Sequence, residues 1–198
     1  MTSRSLIIAV VVLLVASLGL GGYAWHMRRR AAAPASISYA QPVAPPASGP
    51  TEQVTLYVAY DTPGVILPEA ANIPLPEDRQ QRARAVLRAL LARYTGQSSL
   101  HPLVPSSDIR DVYLVDPGLA VIDLNADLAN GHRSGVLVEE LTIASLLQTL
   151  SANVPGISRV KFLVDGKERE TLAGHADLMD VYDVNSASDM VSALQASQ

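Results

Sequence analysis

The 198-residue chain contains no cysteine. Disulfide scaffolds, thiol catalysis and cysteine-based zinc sites are therefore excluded, because each of them needs the sulfur of that side chain. Lipid attachment to an N-terminal cysteine is excluded for the same reason. Among the segments of the sequence, only a sufficiently apolar helix could then attach the chain to a membrane.

The chain also lacks an excess of basic residues. Its 15 lysines and arginines are outnumbered by 19 aspartates and glutamates, which gives a net charge of −4 at pH 7. Four of the arginines lie in the first 30 residues, which hold no acid, so the remainder carries a net charge of −8. Nucleic-acid binding needs a basic footprint, and we therefore expect no nucleic-acid partner.

Recognisable metal-binding and catalytic motifs are missing as well. Asp123–Asp127 resembles the opening of a calcium loop, but such a loop needs glycine at its sixth position and glutamate at its twelfth. Those positions hold Leu128 and Ser134. The histidines beyond residue 30 form neither a His-Glu-x-x-His nor a Gly-x-Ser-x-Gly pattern. The sequence thus predicts no metal, no cofactor and no enzymatic activity.

A long apolar run is the most prominent feature that is present. Leu6–Trp25 holds 16 hydrophobic residues out of 20 and no charge, which suits a helix crossing a hydrocarbon core about 30 Å thick. A cleaved signal peptide would have a shorter apolar region followed by a small-residue cleavage site, whereas Arg28–Arg30 follow here. We predict an N-terminal tail at residues 1–5 and an uncleaved transmembrane helix at 6–25.

The flanking charges bear on the orientation of this helix. Arg4 and the amino terminus precede it, and three arginines follow it. The positive-inside rule would place the C-terminal domain in the cytoplasm. The difference is one charge, and long domains often translocate regardless of such a difference, so the charges leave the orientation open.

The chain after the apolar run divides into a linker, a domain and a tail. Residues 26–52 are a basic flank followed by a stretch rich in proline and alanine, a composition that cannot offset the entropy of ordering and therefore reads as a tether. Residues 53–183 carry the periodic patterns of one globular domain. Residues 184–198 are predicted to be a C-terminal tail.

The patterns within the domain predict its fold class. The expected strands and helices are Val54–Ala59, a short strand at Val65–Leu67, a helix opened by Pro76 and stopped at Gly96, Ile109–Val115, Leu119–Leu124, Leu137–Leu150, Arg159–Val164 and a returning strand at Lys167–Leu172. A polar loop is expected at Asn125–Gly135. The order (β)βαββαβ(β) predicts an α/β (α+β) fold, with a mainly antiparallel mixed sheet and two helices packed on one face.

Glu140 is the residue that departs most from its surroundings. On a helical wheel it falls among Ile143, Leu147 and Leu150, where a carboxylate needs a partner or a raised pKa. It could line a pocket as a partly buried acid. We favour a structural role, in which Glu140 accepts hydrogen bonds from amides of the Gly131–Gly135 loop.

His175 and Asp165 complete the set of candidate residues. His175 and Asp177 are two positions apart, so on a strand they would share one face and could form an acid–base pair; we favour a hydrogen-bonded structural histidine. Asp165 and Gly166 give a hairpin-turn signal. The three candidates Glu140, Asp165 and His175 are all interpreted as structural or interaction residues.

Four blocks of the domain, in order, resemble the GerMN domain family, which is named for sporulation and germination proteins. These are Val54–Val58, Pro105–Val112, Ala120–Asn125 and a last block made of Glu140–Leu150, Val160–Lys167 and Leu172–His175. The resemblance spans about Val54–Leu178.

This resemblance implies a compact α/β module that is secreted or tethered to the outer face of the membrane and has no enzymatic activity. Some members act in envelope-spanning assemblies, and their fold is similar to ring-building modules of secretion systems. Glu140 matches the glutamate that usually precedes the apolar run of the family's second helix. This chain departs from common family patterns because it has one copy of the module and no lipobox cysteine.

Together these observations lead to one hypothesis and one alternative. The hypothesis is a membrane-tethered, non-catalytic envelope protein whose domain lies on the extracytoplasmic side, in a sporulation, germination or other envelope complex. Its expected partners are other envelope proteins or a second copy of the chain, besides the membrane itself. The alternative is an envelope hydrolase or a cell-wall ligand-binding domain that uses the region of Glu140, His175 and Asp177.

Overall fold

The computed structural model describes residues 49–115, 117–186 and 189. The predicted transmembrane helix, the tail before it and most of the linker lie outside these ranges, as does most of the predicted C-terminal tail. Among the helices of the described ranges, none combines the length and the apolar character that a membrane crossing requires. The helix at 6–25 therefore stays a prediction.

The described residues form an α+β fold. In chain order the elements are β1 (Thr51–Tyr60), β2 (Val65–Pro74), α1 (Arg79–Tyr94), β3 (Ile109–Val115), β4 (Leu119–Leu124), α2 (Ala126–Gly131), α3 (Val136–Asn153), β5 (Arg159–Val164) and β6 (Val181–Asp183). The predicted fold class is confirmed at this level, while several details differ.

The strands of the described residues form two sheets, so the prediction of a single sheet is wrong. β1 and β2 are an antiparallel pair, and the second sheet has the order β3-β4-β5-β6, in which only β4 and β5 run parallel. The predicted short strand at Val65–Leu67 is the start of the longer β2.

Helix side chains occupy the edge of β1 that faces away from β2. The backbone nitrogen of Tyr57 donates to Oγ1 of Thr149 at 2.8 Å, and that of Ala59 donates to the hydroxyl of Tyr94 at 2.9 Å. Asn153 accepts from the nitrogen of Thr55 at 3.1 Å and donates to its carbonyl oxygen at 2.7 Å. The Thr55–Ala59 part of β1 is consequently not free to pair with a strand of the second sheet.

Helix α1 confirms the predicted apolar stripe but begins later than predicted. The residues that recur at helical spacing are all buried, namely Ala83, Val86, Leu87, Leu90, Leu91 and Tyr94. The helix starts at Arg79 rather than near Pro76, because the side chain of Asp78 accepts a hydrogen bond from the nitrogen of Gln81 and acts as N-cap.

Helix α3 is buried on nearly every side between Glu139 and Leu150, and it packs against β1 and α1. The loop expected at Asn125–Gly135 contains the short helix α2, which was not predicted from the sequence. Asn125 caps that helix by accepting from the nitrogen of Leu128 at 3.0 Å. The core is therefore built around α3.

The segment after β5 does not return as the predicted strand at Lys167–Leu172. Val164 and Lys167 form an isolated bridge, and β6 pairs with β5 instead. The intervening chain turns back toward α3, where backbone nitrogens of residues 173–176 bind a buried carboxylate. Those contacts explain why the segment forms a loop rather than a strand.

Candidate functional site

A buried carboxylate at the start of α3 binds two loops. Glu139 has 0% of its surface exposed. Its Oε1 accepts from the nitrogen of Gly135 at 3.0 Å and lies 2.9 Å from Nδ1 of His175. Its Oε2 accepts from the backbone nitrogens of Ala173, His175 and Ala176 at 2.9, 3.0 and 3.0 Å. One side chain thereby joins the residue before α3 to the 173–176 loop.

The electrostatics of Glu139 follow from these contacts. Burial alone would raise the pKa of this carboxyl group, but the hydrogen bonds from Gly135, His175 and Ala173 outweigh burial and lower the pKa to about 2. Donors that favour the ionised form stabilise it in this way. Glu139 is therefore a carboxylate at neutral pH and a poor candidate for a general acid.

The role expected of Glu140 belongs to its neighbour Glu139. Within the described residues, Oε2 of Glu140 is buried and has no hydrogen-bond partner. Burial, and secondly the charge of Glu139, raise the pKa of Glu140. The helical wheel misplaced this role because α3 is buried on nearly every side, so an apolar arc does not single out one inward position.

His175 lies at the surface beside Glu139, with 42% of its side chain exposed. Oγ of Ser134 is 3.4 Å from Nδ1 of His175, the same ring nitrogen that contacts Glu139. A serine–histidine–acid relay needs the nucleophile and the acid on opposite ring nitrogens. The three residues are therefore grouped without the alignment of a catalytic triad.

Asp177 and Asp165, the other acids singled out in the sequence, form hydrogen bonds that stabilise turns. Asp177 accepts from the nitrogen of Met179 at 2.6 Å rather than contacting the ring of His175. Asp165 has a positive φ of 50°, and its Oδ1 accepts from Arg110 at 2.9 Å and from the nitrogen of Ala126 at 3.2 Å. Asp165 thus links the turn after β5 to β3 and α2, apart from the groups around Glu139.

A second polar cluster, which was not predicted from the sequence, lies deeper beside α3. His101 is 1% exposed; its Nδ1 lies 2.5 Å from Oδ1 of Asp61 and its Nε2 lies 2.7 Å from Oγ1 of Thr142. His132 contacts the same Thr142 oxygen through Nε2 at 2.7 Å and the carbonyl oxygen of Arg133 through Nδ1 at 2.7 Å. Asp61 also pairs with the Arg133 guanidinium.

No sequence pattern could have identified this cluster, since its members come from four separate segments. Each ring nitrogen of His101 and His132 contacts another group of the protein. Across the described residues, no group of three histidine or acidic side chains is arranged to hold a metal ion.

A cavity of about 370 Å³ lies beside the C-terminal half of α3. Its lining is uncharged and consists of Tyr57, Gln148, Ser151, Ala152, Val184 and Asn185. Glu140, His175 and Asp177 do not line it, so this cavity does not gather the groups on which the hydrolase alternative depends.

One face of the second sheet carries exposed apolar side chains. Val112, Ile122 and Phe162 point into the core, so the alternate residues of the same strands point outward. We call this surface the outer face; its apolar members are Tyr113, Val115, Leu119, Val121, Leu163 and Val181. Tyr113, Val115 and Val181 are the most exposed of these, at 45%, 47% and 49%.

Comparison with known proteins gives one match to a family model. Residues 55–170 match the Germane model, described as "Sporulation and spore germination". No curated protein sequence matches the chain. The match covers more than half of the chain and includes the second half of β1 and all of α3 and β5.

Comparison with solved structures gives matches of low sequence identity. A candidate lipoprotein from Clostridium perfringens is 16% identical, with a TM-score of 0.46, over 69% of this chain and 89% of that one. The tandem GerMN domains of the sporulation protein GerM from Bacillus subtilis are 17% identical, with a TM-score of 0.47, over 66% of this chain and 45% of that one. The first GerMN domain of the same protein is 17% identical, with a TM-score of 0.45, over 66% of this chain and 95% of that one.

Proposed function

The chain belongs to the Germane family of sporulation and spore germination, and we propose that it is a non-catalytic, membrane-tethered module of a cell-envelope assembly. The family match confirms the resemblance to GerMN domains noted in the sequence. We further propose that the module assembles with a second copy of itself through the outer face of the four-stranded sheet.

The observation that carries this proposal is the apolar character of the outer face. Tyr113, Val121, Lys161 and Val181 form one cross-strand row. The ammonium of Lys161 is bound within the chain by the carbonyl oxygen of Met179 and the carboxylate of Glu168. Its stem is then free to cover apolar surface. Exposed apolar patches of this kind mark protein interaction sites.

The charges beside this row favour a second copy over a strongly charged partner. Arg159 on β5 and Asp183 on β6 are register partners, so opposite charges stand side by side at one end of the face. A two-fold interface brings the same patch of both subunits together. Arg159 of one copy can then meet Asp183 of the other.

Photo-crosslinking tests the interface in the full chain. Benzoylphenylalanine replaces Tyr113 in one variant and Leu100 in a control; Leu100 is 62% exposed but lies between α1 and β3, outside the sheet. We expect a covalent dimer from position 113 and little from position 100. A position-113 variant that gives no self-adduct, gives adducts only with other proteins, or crosslinks no better than the control would contradict the proposal.

Sedimentation of charge variants gives an independent test. Tyr113→Asp and Val181→Asp place like charges in a two-fold interface and should move the full chain toward monomer, whereas Leu100→Asp should not. Thermal melting would confirm that each variant remains folded. An assembly state unchanged by both sheet substitutions in folded protein would rule out the outer face.

The proposed location rests on the Leu6–Trp25 segment and on the family resemblance. We propose that this segment anchors the chain in the membrane, with the domain on the extracytoplasmic side. Protease added to spheroplasts should digest the domain, and deletion of residues 6–25 should release the chain from the membrane fraction. A domain protected in intact spheroplasts and digested only after lysis would reverse the proposed orientation.

A further inference from the structure

The buried cluster of Asp61, His101, Thr142 and His132 poses a problem of proton counting. Both histidines contact the single hydroxyl oxygen of Thr142 at 2.7 Å through Nε2. A hydroxyl group has one proton to donate and two lone pairs that accept. If both rings were neutral with Nε2 as acceptor, both would compete for that one proton. The carbonyl oxygen of Val138, 3.1 Å from Oγ1 of Thr142, is a third and more distant acceptor.

The outer contacts determine which ring nitrogens carry protons. Nδ1 of His132 lies 2.7 Å from the carbonyl oxygen of Arg133, which can only accept, so Nδ1 of His132 is the donor. Nδ1 of His101 lies 2.5 Å from the carboxylate of Asp61 and likewise donates. If both rings were neutral, both Nε2 atoms would then be acceptors. The Thr142 hydroxyl has one proton and can donate to only one of them.

One additional proton resolves the conflict, and the surrounding charges favour one place for it. His101 is in direct contact with the Asp61 carboxylate. His132 instead contacts the Arg133 carbonyl and the Thr142 hydroxyl, and the charge of Arg133 disfavours its protonated form. A carboxylate in contact favours the imidazolium. His101 would then donate through Nε2 to Thr142. The Thr142 hydroxyl would donate to Nε2 of His132 at 2.7 Å in preference to the carbonyl oxygen of Val138 at 3.1 Å.

We propose that His101 is a buried imidazolium held between Asp61 and Thr142, that His132 is neutral, and that this cluster is a proton-dependent latch. It connects the β1–β2 turn through Asp61, the segment after α1 through His101, and the α2–α3 loop through His132, all to Thr142 of α3. This inference does not depend on the proposed assembly through the outer face.

Every element packed around the two rings contributes to the behaviour of the latch. His101 contacts Tyr94 of α1 edge to face at 4.8 Å, and the two histidine ring centroids are 6.1 Å apart. For His132, burial first, and then the charges of His101 and Arg133, lower the pKa, while the Arg133 carbonyl and Glu139 act in the opposite direction. A second proton on His132 would place two imidazoliums against one hydroxyl group.

Nitrogen-15 spectroscopy of histidine rings tests the assignment in the full chain. The chain has four histidines, and the signals of His26 and His175 are identified by replacing each with glutamine. At pH 7 we expect one remaining ring to carry protons on both nitrogens and the other to be the neutral Nδ1–H tautomer. Two neutral rings in the wild-type spectrum would overturn the proposal, whatever any variant does.

Variants of the acid and the hydroxyl group identify the contacts responsible. Asp61→Asn should convert the imidazolium to a neutral ring, while Asp180→Asn, a matched change at an exposed acid, should leave the spectrum unchanged. Thr142→Ser keeps the hydroxyl group and should preserve the wild-type pattern, whereas Thr142→Val should change both buried rings. An imidazolium that persists in folded Asp61→Asn protein would contradict the role of Asp61.

Discussion

Glu139 and His175 are joined twice: the Glu139 carboxylate accepts from the backbone nitrogen of His175 at 3.0 Å and lies 2.9 Å from its ring Nδ1. The same carboxylate binds three further backbone nitrogens in two loops. A buried group with this many donors organises the backbone around it.

Replacement of Glu139 should therefore be strongly destabilising. In Glu139→Gln an amide NH₂ group would face backbone N–H donors, and the lost charge would weaken the remaining bonds. We expect the free energy of unfolding to fall by about 2–4 kcal/mol, as measured by urea denaturation. Glu140→Gln is the matched control and should cost little, because Oε2 of Glu140 has no partner to lose. Equal losses in the two variants would contradict the assignment.

The depressed pKa of Glu139 also predicts an acid-sensitive stability. Its pKa of about 2 in the folded protein lies below the ordinary value of about 4.5, so between these values the unfolded chain binds more protons than the folded one. The stabilisation is then complete above about pH 4.5 and is lost as the pH falls toward 2, by up to about 3 kcal/mol. Urea titrations from pH 7 to 2 should show this decline, and Glu139→Gln should lack that part of it.

The sequence predicted those parts of the fold that depend on local periodicity. The stripe from Ala83 to Tyr94 lies on one side of α1, as its spacing requires, and β5 has the predicted bounds. Separation into two sheets was not predictable in this way, because it depends on Thr149 and Asn153 binding the edge of β1 from more than 90 residues away. Long-range side-chain contacts with backbone leave no periodic signal.

The candidate site shows the same limit at finer scale. A wheel projection ranks positions by apolar neighbours, and in a helix buried on nearly every side that ranking cannot separate Glu139 from Glu140. The cluster around Thr142 was missed altogether, because Asp61, His101 and His132 are ordinary polar residues within their own segments. Only the tertiary fold brings them to one hydroxyl group.

The capped edge of β1 gives a third prediction. The Tyr94 hydroxyl accepts from the nitrogen of Ala59 at 2.9 Å in the core, and Tyr94→Phe would leave that buried nitrogen without its acceptor. We expect a loss of about 1–3 kcal/mol in the free energy of unfolding. Tyr113→Phe removes the same atom from an exposed residue and should change stability by less than about 0.5 kcal/mol. Urea denaturation of the two variants measures this difference. A Tyr94→Phe protein as stable as wild type would show that the hydrogen bond from Ala59 to Tyr94 contributes nothing to stability.

Alanine substitutions at two glycines of left-handed conformation can distinguish backbone strain from steric conflict. Gly118 and Gly156 have φ values of +71° and +86°, so alanine at either position pays a conformational cost of about 1–2 kcal/mol. A Cβ on Gly118 would also lie 2.7 Å from Oγ of Ser158 and 3.0 Å from the carbonyl oxygen of Gly156, whereas a Cβ on Gly156 would meet nothing within 4 Å. The backbone nitrogen of Ser158 donates to the Gly118 carbonyl at 2.8 Å, so the chain cannot easily move apart at this point. Gly118→Ala should therefore be the more destabilising of the two in thermal and urea unfolding, and adding Ser158→Ala should recover part of its loss. If Gly156→Ala costs as much as Gly118→Ala, backbone strain alone accounts for both and the contact with the 156–158 segment is unimportant.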